Sequence, residues 1–217
     1  MPKTRLPKRS YNSSRRQASA QLTRQAIAQA ALQLFNQRGY WGASIDAIAE
    51  AAAVAPETIY ATFGNKREIL HYLINTSVGG DEAAVRIIDR PEQQAVLHET
   101  DAGRLVAAFS EGIGRIVGRA APVFAILAEA AKTEPELAIL QNRLRAERLE
   151  NMRLVARALG RLTTLRVTQP QAVEILWALS SPELYALLTG ARQWTQDQFT
   201  VWLQDSLVRL LLESEPN

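Results

Sequence analysis

From Ser19 onward, apolar residues recur at helical spacing. Leu22, Ile27, Ala30, Ala31, Leu34 and Phe35 carry the pattern, and Gly39 after Arg38 supplies a stop, which predicts a first helix. Ser44 stands where an N-cap belongs. Behind it, Ile45, Ile48, Ala49 and Ala52 line one side of a short second helix, with Asp46 in its dipole-favoured first turn. Pro56 and Glu57 open a third, since proline and acids suit the first helical positions, and Thr58 to Phe63 carry it to Gly64. Asn65 caps a fourth helix bearing Ile69, Leu70, Leu73 and Ile74, which ends near Gly79 and Gly80.

Beyond a loosely patterned stretch, Asp81 to Thr100, prolines punctuate the chain: Pro122, Pro135, Pro170 and Pro182 each fall where a helix would begin. The predicted helices are Asp101 to Arg119, Pro122 to Lys132, Glu134 to Leu159, Pro170 to Leu179, Pro182 to Thr189 and Gln196 to Leu212. Thr133 with Glu136, and Thr195 with Gln198, have capping-box spacing. The expected fold class is all-α: an N-terminal three-helix domain with helix-turn-helix character, then a C-terminal helical bundle.

Composition agrees. Apolar residues make up 47% of 217, with Ala and Leu abundant and few β-branched runs. A chain this long buries roughly 70% of its extended surface as one unit, so it needs no disulfide or metal to fold. The absence of cysteine excludes a disulfide scaffold, zinc ribbons, iron–sulfur clusters and thiol catalysis. The longest apolar run, Ala120 to Ala128, contains Pro122 and is far short of the roughly 18 residues that span a bilayer. No apolar h-region follows the basic N-terminus, so a secretory signal is not expected and a cytoplasmic location is. The Arg- and Ser-rich, acid-free start keeps a mitochondrial transit peptide as an alternative.

Charge sharpens the division. Residues 1 to 40 carry Lys3, Arg5, Lys8, Arg9, Arg15, Arg16, Arg24 and Arg38 without one acid. The first eighty residues sum to +6 and the remainder to −3. A positive pole on a near-neutral body is the footprint of a polyanion binder, with nucleic acid ahead of an anionic membrane and a solubilising tail as the bland alternative. Residues 1–18, with two prolines and almost no large apolar side chain, read as a disordered basic arm. Residues 19–66 read as the helix-turn-helix domain and 67–217 as the bundle.

Ser44 to Phe63 holds two short helices joined by a tight turn, so they must cross at a large angle and leave the second projecting. That helix is roughly 10 Å long at 1.5 Å per residue, so only its N-terminal half can reach base edges in a major groove. Ile59 and Phe63 form its buried side. Glu57, Thr58, Ala61 and Thr62 face outward, with Tyr60 between.

From Thr23 to Leu70 the chain resembles the TetR-type transcriptional regulators. The likeness rests on Thr23-Arg24, Leu34 to Tyr40, Ile45, Ile48-Ala49, Thr58 to Lys66, and Leu70. A weaker likeness to the dimerisation helices of one subgroup covers Ser181 to Tyr185 and Trp194 to Leu212. The resemblance implies that Tyr60 and Lys66 contact phosphates, setting register rather than sequence. Ser44 at a helix N-terminus could add a phosphate contact, and Thr58 and Thr62 could meet bases or thymine methyls. The alternatives are Tyr60 as a half-buried core aromatic, Lys66 as a solvated cap and Ser44 as a plain N-cap.

The chain departs from the family pattern in the turn. Ala53 and Ala55 stand where Gly and then Ser are common, losing a φ-permissive residue and a side-chain cap at a cost of about 1 kcal/mol each. Glu57 puts a carboxylate toward a polyanion, either accepting from a cytosine N4 or pointing aside as a cap. Because the third helix lacks basic side chains, most affinity should come from the arm and helix ends, with Arg15 and Arg16 reaching an adjacent groove.

The C-terminal two-thirds carries no catalytic signature, so no enzyme, cofactor or metal is expected. Gly112 to Gly118 looks superficially like a dinucleotide loop, but its spacing is wrong and no strand precedes it, which favours helix packing. His71 and His98 lack paired-ligand spacing. The apolar residues of this region must meet in a bundle. The resemblance implies a pocket there for a small, mainly apolar effector, with Phe109, Ile113, Phe124, Leu127, Trp177 and Tyr185 as lining and Glu129 or Arg115 as further polar groups. In the last helix Phe199, Trp202, Leu203, Leu207, Leu210 and Leu211 form a stripe, while Val201, Val208 and Leu212 lie outside it. Apolar character on more than one face suggests a second copy of the chain as partner, with Phe199, Trp202, Leu203, Leu207 and Leu210 as the expected interface.

Together these features imply a sequence-specific regulator binding double-stranded DNA, a repressor acting as a homodimer on a palindromic operator. A non-specific architectural DNA binder is the alternative, and a helical enzyme or carrier with a targeting arm is the third reading.

Overall fold

The computed structural model describes residues 11–83 and 85–213. Helices dominate, and no strand forms among the described residues; Leu165 and Leu212 pair in an isolated antiparallel bridge. The chain divides into two compact units between Ile69 and Leu70.

The first unit is built on α1 (Tyr11–Gly42), α2 (Ile45–Ala51) and α3 (Pro56–Phe63), and α4 (Lys66–Gly79) begins within it. Gly39, at φ 72° and ψ 167°, interrupts α1 where the sequence places its stop, because only glycine adopts that backbone without strain. The start of α1 corrects the reading of residues 1–18 as a disordered arm. Residues 11–18 are helical, and residues 1–10 lie outside the described residues. Arg15, Arg16, Gln17 and Ala18 are good helix formers with no breaker among them, and helix propagates cheaply from a turn already nucleated. The buried faces of the unit meet through Ile27, Phe35, Tyr40, Ile48, Ile59 and Phe63.

The second unit comprises α5 (Pro91–Leu97), α6 (Ala102–Ala130), α7 (Pro135–Leu162), α8 (Gln169–Leu179), α9 (Pro182–Ala186) and α10 (Gln196–Leu211), entered through α4. Where the sequence predicts two helices meeting at Pro122, one continuous α6 forms with that proline inside it. Pro122 is exposed, whereas Ala120, Ala121 and Val123 are buried, so packing on one face carries the helix through the hydrogen bond the proline removes. The Thr195–Gln198 capping box forms at α10. The Thr133–Glu136 box does not: α7 is preceded by Glu134 with no side-chain cap, and Thr133 donates to the Ala130 carbonyl at the end of α6. Thr168 and Gln171 form a box that sequence reading overlooked, with the Thr168 N–H on Gln171 Oε1 at 3.0 Å.

The core of this unit joins Phe109, Ile113 and Val117 of α6 to Phe199, Leu203 and Leu207 of α10. Phe199, Leu203 and Leu207 are fully enclosed at 0% exposure, which removes them from the expected dimer interface. Their stripe is apolar because it faces the chain's own helices. Trp202 is half-buried and Leu210 exposed; outside the stripe, Val201 and Val208 are exposed as well. The Gly112–Gly118 stretch lies inside α6, where a Cβ on Gly114 would strike Thr200 and one on Gly118 would strike Gln196. Its glycines serve close helix approach, with no loop for a dinucleotide.

Candidate nucleic-acid interface

Helix α3 is held by Ile59 and Phe63, buried against the rest of the first unit, and its other side is open. Glu57, Tyr60 and Ala61 are exposed, and Thr58 and Thr62 are half-buried. Tyr60, at 55% exposure, is no core aromatic, and its hydroxyl stands at the surface. Thr62 is less available: its hydroxyl donates to the Thr58 carbonyl at 2.6 Å, which leaves its methyl and lone pairs for a ligand. Arg24 of α1 steadies the far end of α3, reaching the Thr62 carbonyl at 3.4 Å and lying 5.4 Å from the Phe63 ring. Ser44 Oγ accepts the Ala47 N–H at 3.1 Å, so it caps α2 while its own proton stays a donor.

Lys66 is neither a solvated cap nor a simple outward charge. Its ammonium donates to the carbonyls of Tyr40 at 2.7 Å and Ala43 at 3.2 Å, and lies 4.3 Å from the Tyr40 ring centroid and 5.3 Å from that of Trp41. It thus straps the corner between α1 and α2, satisfying carbonyls that follow the Gly39 break. Trp41, 53% exposed and edge-on to Tyr40, presents an indole beside that corner. Sequence reasoning passed over it, although a tryptophan just beyond a helix-ending Gly-Tyr pair is an expensive residue to leave exposed. Arg15 and Arg16 are exposed on the opening turns of α1, carried by a helix instead of a flexible arm.

The second unit forms a partly open cavity of about 130 Å³. Phe109, Ile113 and Phe124 line it as expected. Leu127, Trp177 and Tyr185 do not: Leu127 is sealed in the core, Tyr185 packs edge-on to Phe199 at 4.9 Å, and the Trp177 ring lies 4.4 Å from the Arg148 guanidinium. Nor do Glu129 and Arg115 supply its polar groups. Gln141, Arg145, Arg148, Asn151 and Glu183 do. Helical spacing alone places a residue on a face and leaves open which neighbour that face meets.

Residues 27–73 match the family described as bacterial regulatory proteins, tetR family. The N-terminal unit is thus similar to the N-terminal region of the tetR-family regulators. In overall fold the chain is similar to NalD, the secondary repressor of the MexAB-OprM multidrug efflux pump in Pseudomonas aeruginosa. The two share 22% identity over 91% of this chain and 99% of that one, with a TM-score of 0.67. It is similar to SmeT in a triclosan complex at 18% identity, over 89% of this chain and 93% of that one, with a TM-score of 0.67. A transcriptional regulator from Saccharomonospora viridis in complex with choline is 18% identical over 88% of this chain and 98% of that one, with a TM-score of 0.65. These likenesses establish the TetR-type all-α fold. No curated protein matches the sequence.

Within the TetR-type module the departures at Ala53 and Ala55 have visible consequences. Helix α2 ends in a Schellman motif, with the Ala53 N–H on the Glu50 carbonyl at 3.1 Å and the Val54 N–H on the Ala49 carbonyl at 3.0 Å. The position such a motif reserves for glycine holds Ala53, at φ 53°. A Cβ in the left-handed region costs roughly 1–2 kcal/mol. Ala55, the N-cap of α3, offers no side-chain bond, so Pro56 at the first position carries the start of the helix.

Proposed function

We propose that the protein is a ligand-responsive transcriptional repressor that binds a palindromic operator as a homodimer. The observation that carries this reading is α3, anchored by Ile59 and Phe63 with Glu57, Tyr60 and Ala61 facing solvent. Tyr60, the Ser44 hydroxyl, the Trp41 indole, Arg15 and Arg16 serve as phosphate contacts. Thr58, the Thr62 methyl and Glu57 carry base preference, Glu57 as an acceptor for a cytosine N4. Lys66 sets the corner that presents Trp41 and Ser44, and adds its charge to the field there.

A palindrome needs a two-fold protein, and the exposed apolar side chains of α10, Val201, Val208 and Leu210 with half-buried Trp202, support pairing with a second copy. The cavity of the second unit supports a small, mainly apolar effector, and the triclosan and choline complexes of similarly folded proteins support a small-molecule ligand more generally. Such an effector changes operator affinity only by binding the DNA-competent and incompetent states unequally. Helix α4 belongs in sequence to both units and is the covalent path for that coupling.

Selection of bound duplexes from a random pool at fixed salt tests the reading. The expected product is a palindrome whose half-sites repeat at about 34 Å, one helical turn, or a multiple of it. Equal affinity for selected and random duplex instead identifies an architectural DNA binder.

A further inference from the structure

The polar groups of the cavity are not equivalent. One face of α7 supplies Gln141, Leu144, Arg148, Asn151 and Val155 to its wall, at alternating spacings of three and four that keep them on a single stripe. Opposite lie Phe109, Ile113 and Phe124 of α6. Glu147 and Glu183 also reach the cavity, and each already has a cation: Arg143 lies 3.7 Å from Glu147, and Arg145 3.5 Å from Glu183. Arg148 has no such counterpart, because no carboxylate pairs with it among the described residues. Its Nη1 donates to the Trp177 carbonyl at 2.5 Å and to the Ser180 hydroxyl at 3.4 Å, and its guanidinium rests on the Trp177 ring.

Those contacts position the guanidinium against the last turn of α8 and neutralise it only in part, since a helix C-terminus carries about half a negative charge. Burial pushes the Arg148 pKa down to about 10, against a weaker opposing pull from Glu183. The group stays charged at neutral pH and is costly to hold half-buried without an anion. Nε and Nη2 meet no acceptor among the described residues, and together they form the fork that binds a carboxylate through two parallel hydrogen bonds. Asn151, one turn along α7, adds an amide donor about 4.5 Å further along the axis. On the apolar side, an apolar cavity of about 150 Å³ is known to hold benzene. A volume of about 130 Å³ therefore suits one ring or a short chain.

We propose that the effector is a small apolar monocarboxylate, its hydrocarbon part between Phe109 and Phe124 and its carboxylate on Arg148. This rests on reading the cavity as the effector site and adds the sign of the ligand's charge. The test is calorimetric titration of the full-length protein with phenylacetate, phenylacetamide and phenethylamine, which differ chiefly in carrying a negative, no, or a positive charge. Phenylacetate should bind at least tenfold more tightly than the other two. In Arg148→Met that preference should vanish while phenylacetamide affinity stays within about threefold, and Arg148→Lys should retain part of it. Because Arg148 also caps α8, the wild-type ranking stands as a measurement independent of any variant's folding. If the amide or the amine equals or exceeds the acid, the charge assignment is overturned while the effector reading survives. If none of the three binds, both fall.

Discussion

Helices α3 and α10 solve the same problem and end with opposite surfaces. Each buries one apolar stripe, Ile59 and Phe63 in α3 and Phe199, Leu203, Leu207 and Leu211 in α10. What remains outside differs: α3 shows Glu57, Tyr60 and Ala61, whereas α10 shows Val201, Val208 and Leu210. Four buried anchors over sixteen residues fix α10 without help from its outer side, where Val201 and Val208 stand exposed among Gln198, Asp205 and Arg209. Two anchors over eight residues leave α3 dependent on its ends, on Arg24 reaching the Thr62 carbonyl and on the Lys66 strap at the neighbouring corner. A short helix that must offer polar atoms to a ligand is held from outside itself.

The contrast is sharpest in its consequences for substitution. Replacing Val201 and Val208 together by Asp should give a monomer by light scattering and lower affinity for the selected operator by about a hundredfold or more, the avidity of a two-site complex. A dimer that survives the double substitution would move the partner surface elsewhere. Next, Lys66→Ala leaves two carbonyls without their charged donor and should cost about 2 kcal/mol in denaturant unfolding of the first unit. Its operator affinity should fall with it. Loss of affinity at unchanged stability would make Lys66 a DNA contact alone.

Tyr60→Phe should weaken binding about tenfold on every duplex, as loss of one hydrogen bond to a phosphate predicts. Thr58→Ala should instead relax preference at particular bases, and a uniform loss from both would end that division of labour. Ala53→Gly should stabilise the module by about 1 kcal/mol, and Ala55→Ser by a similar amount, because one removes a Cβ from φ 53° and the other supplies an N-cap. The smallest effect is in acid. Asp81 is held well below the usual carboxylate range by two 2.8 Å hydrogen bonds from Arg90. Its contribution is present above the ordinary pKa near 4 and is lost as pH falls below it, so Asp81→Asn should flatten the acid limb of the stability profile.

Features that depend on near neighbours were readable in advance. Ser44, Asn65 and Thr195 cap the helices they were expected to cap, Gly39 interrupts the first, and the positive φ at Ala53 sits where the turn pattern wants glycine. The surface position of Tyr60 was likewise open to reading, because Ile59 and Phe63 point the other way. Trp41 was missed because its importance comes from Lys66, twenty-five positions away in the chain.

The amino-acid order by itself determined the all-α class, the starts of the helices capped by Ser44, Asn65 and Thr195, the helix-turn-helix and the basic pole, since these follow from backbone preferences and charges acting within a few residues. Only the tertiary structure decided that Phe199, Leu203 and Leu207 face their own chain, that α6 runs unbroken through Pro122, that Lys66 grips Tyr40 and Ala43, and that Arg148 joins the cavity wall. An apolar or charged side chain states that it needs a complementary neighbour. Which neighbour it meets depends on contacts between distant segments that no local pattern encodes.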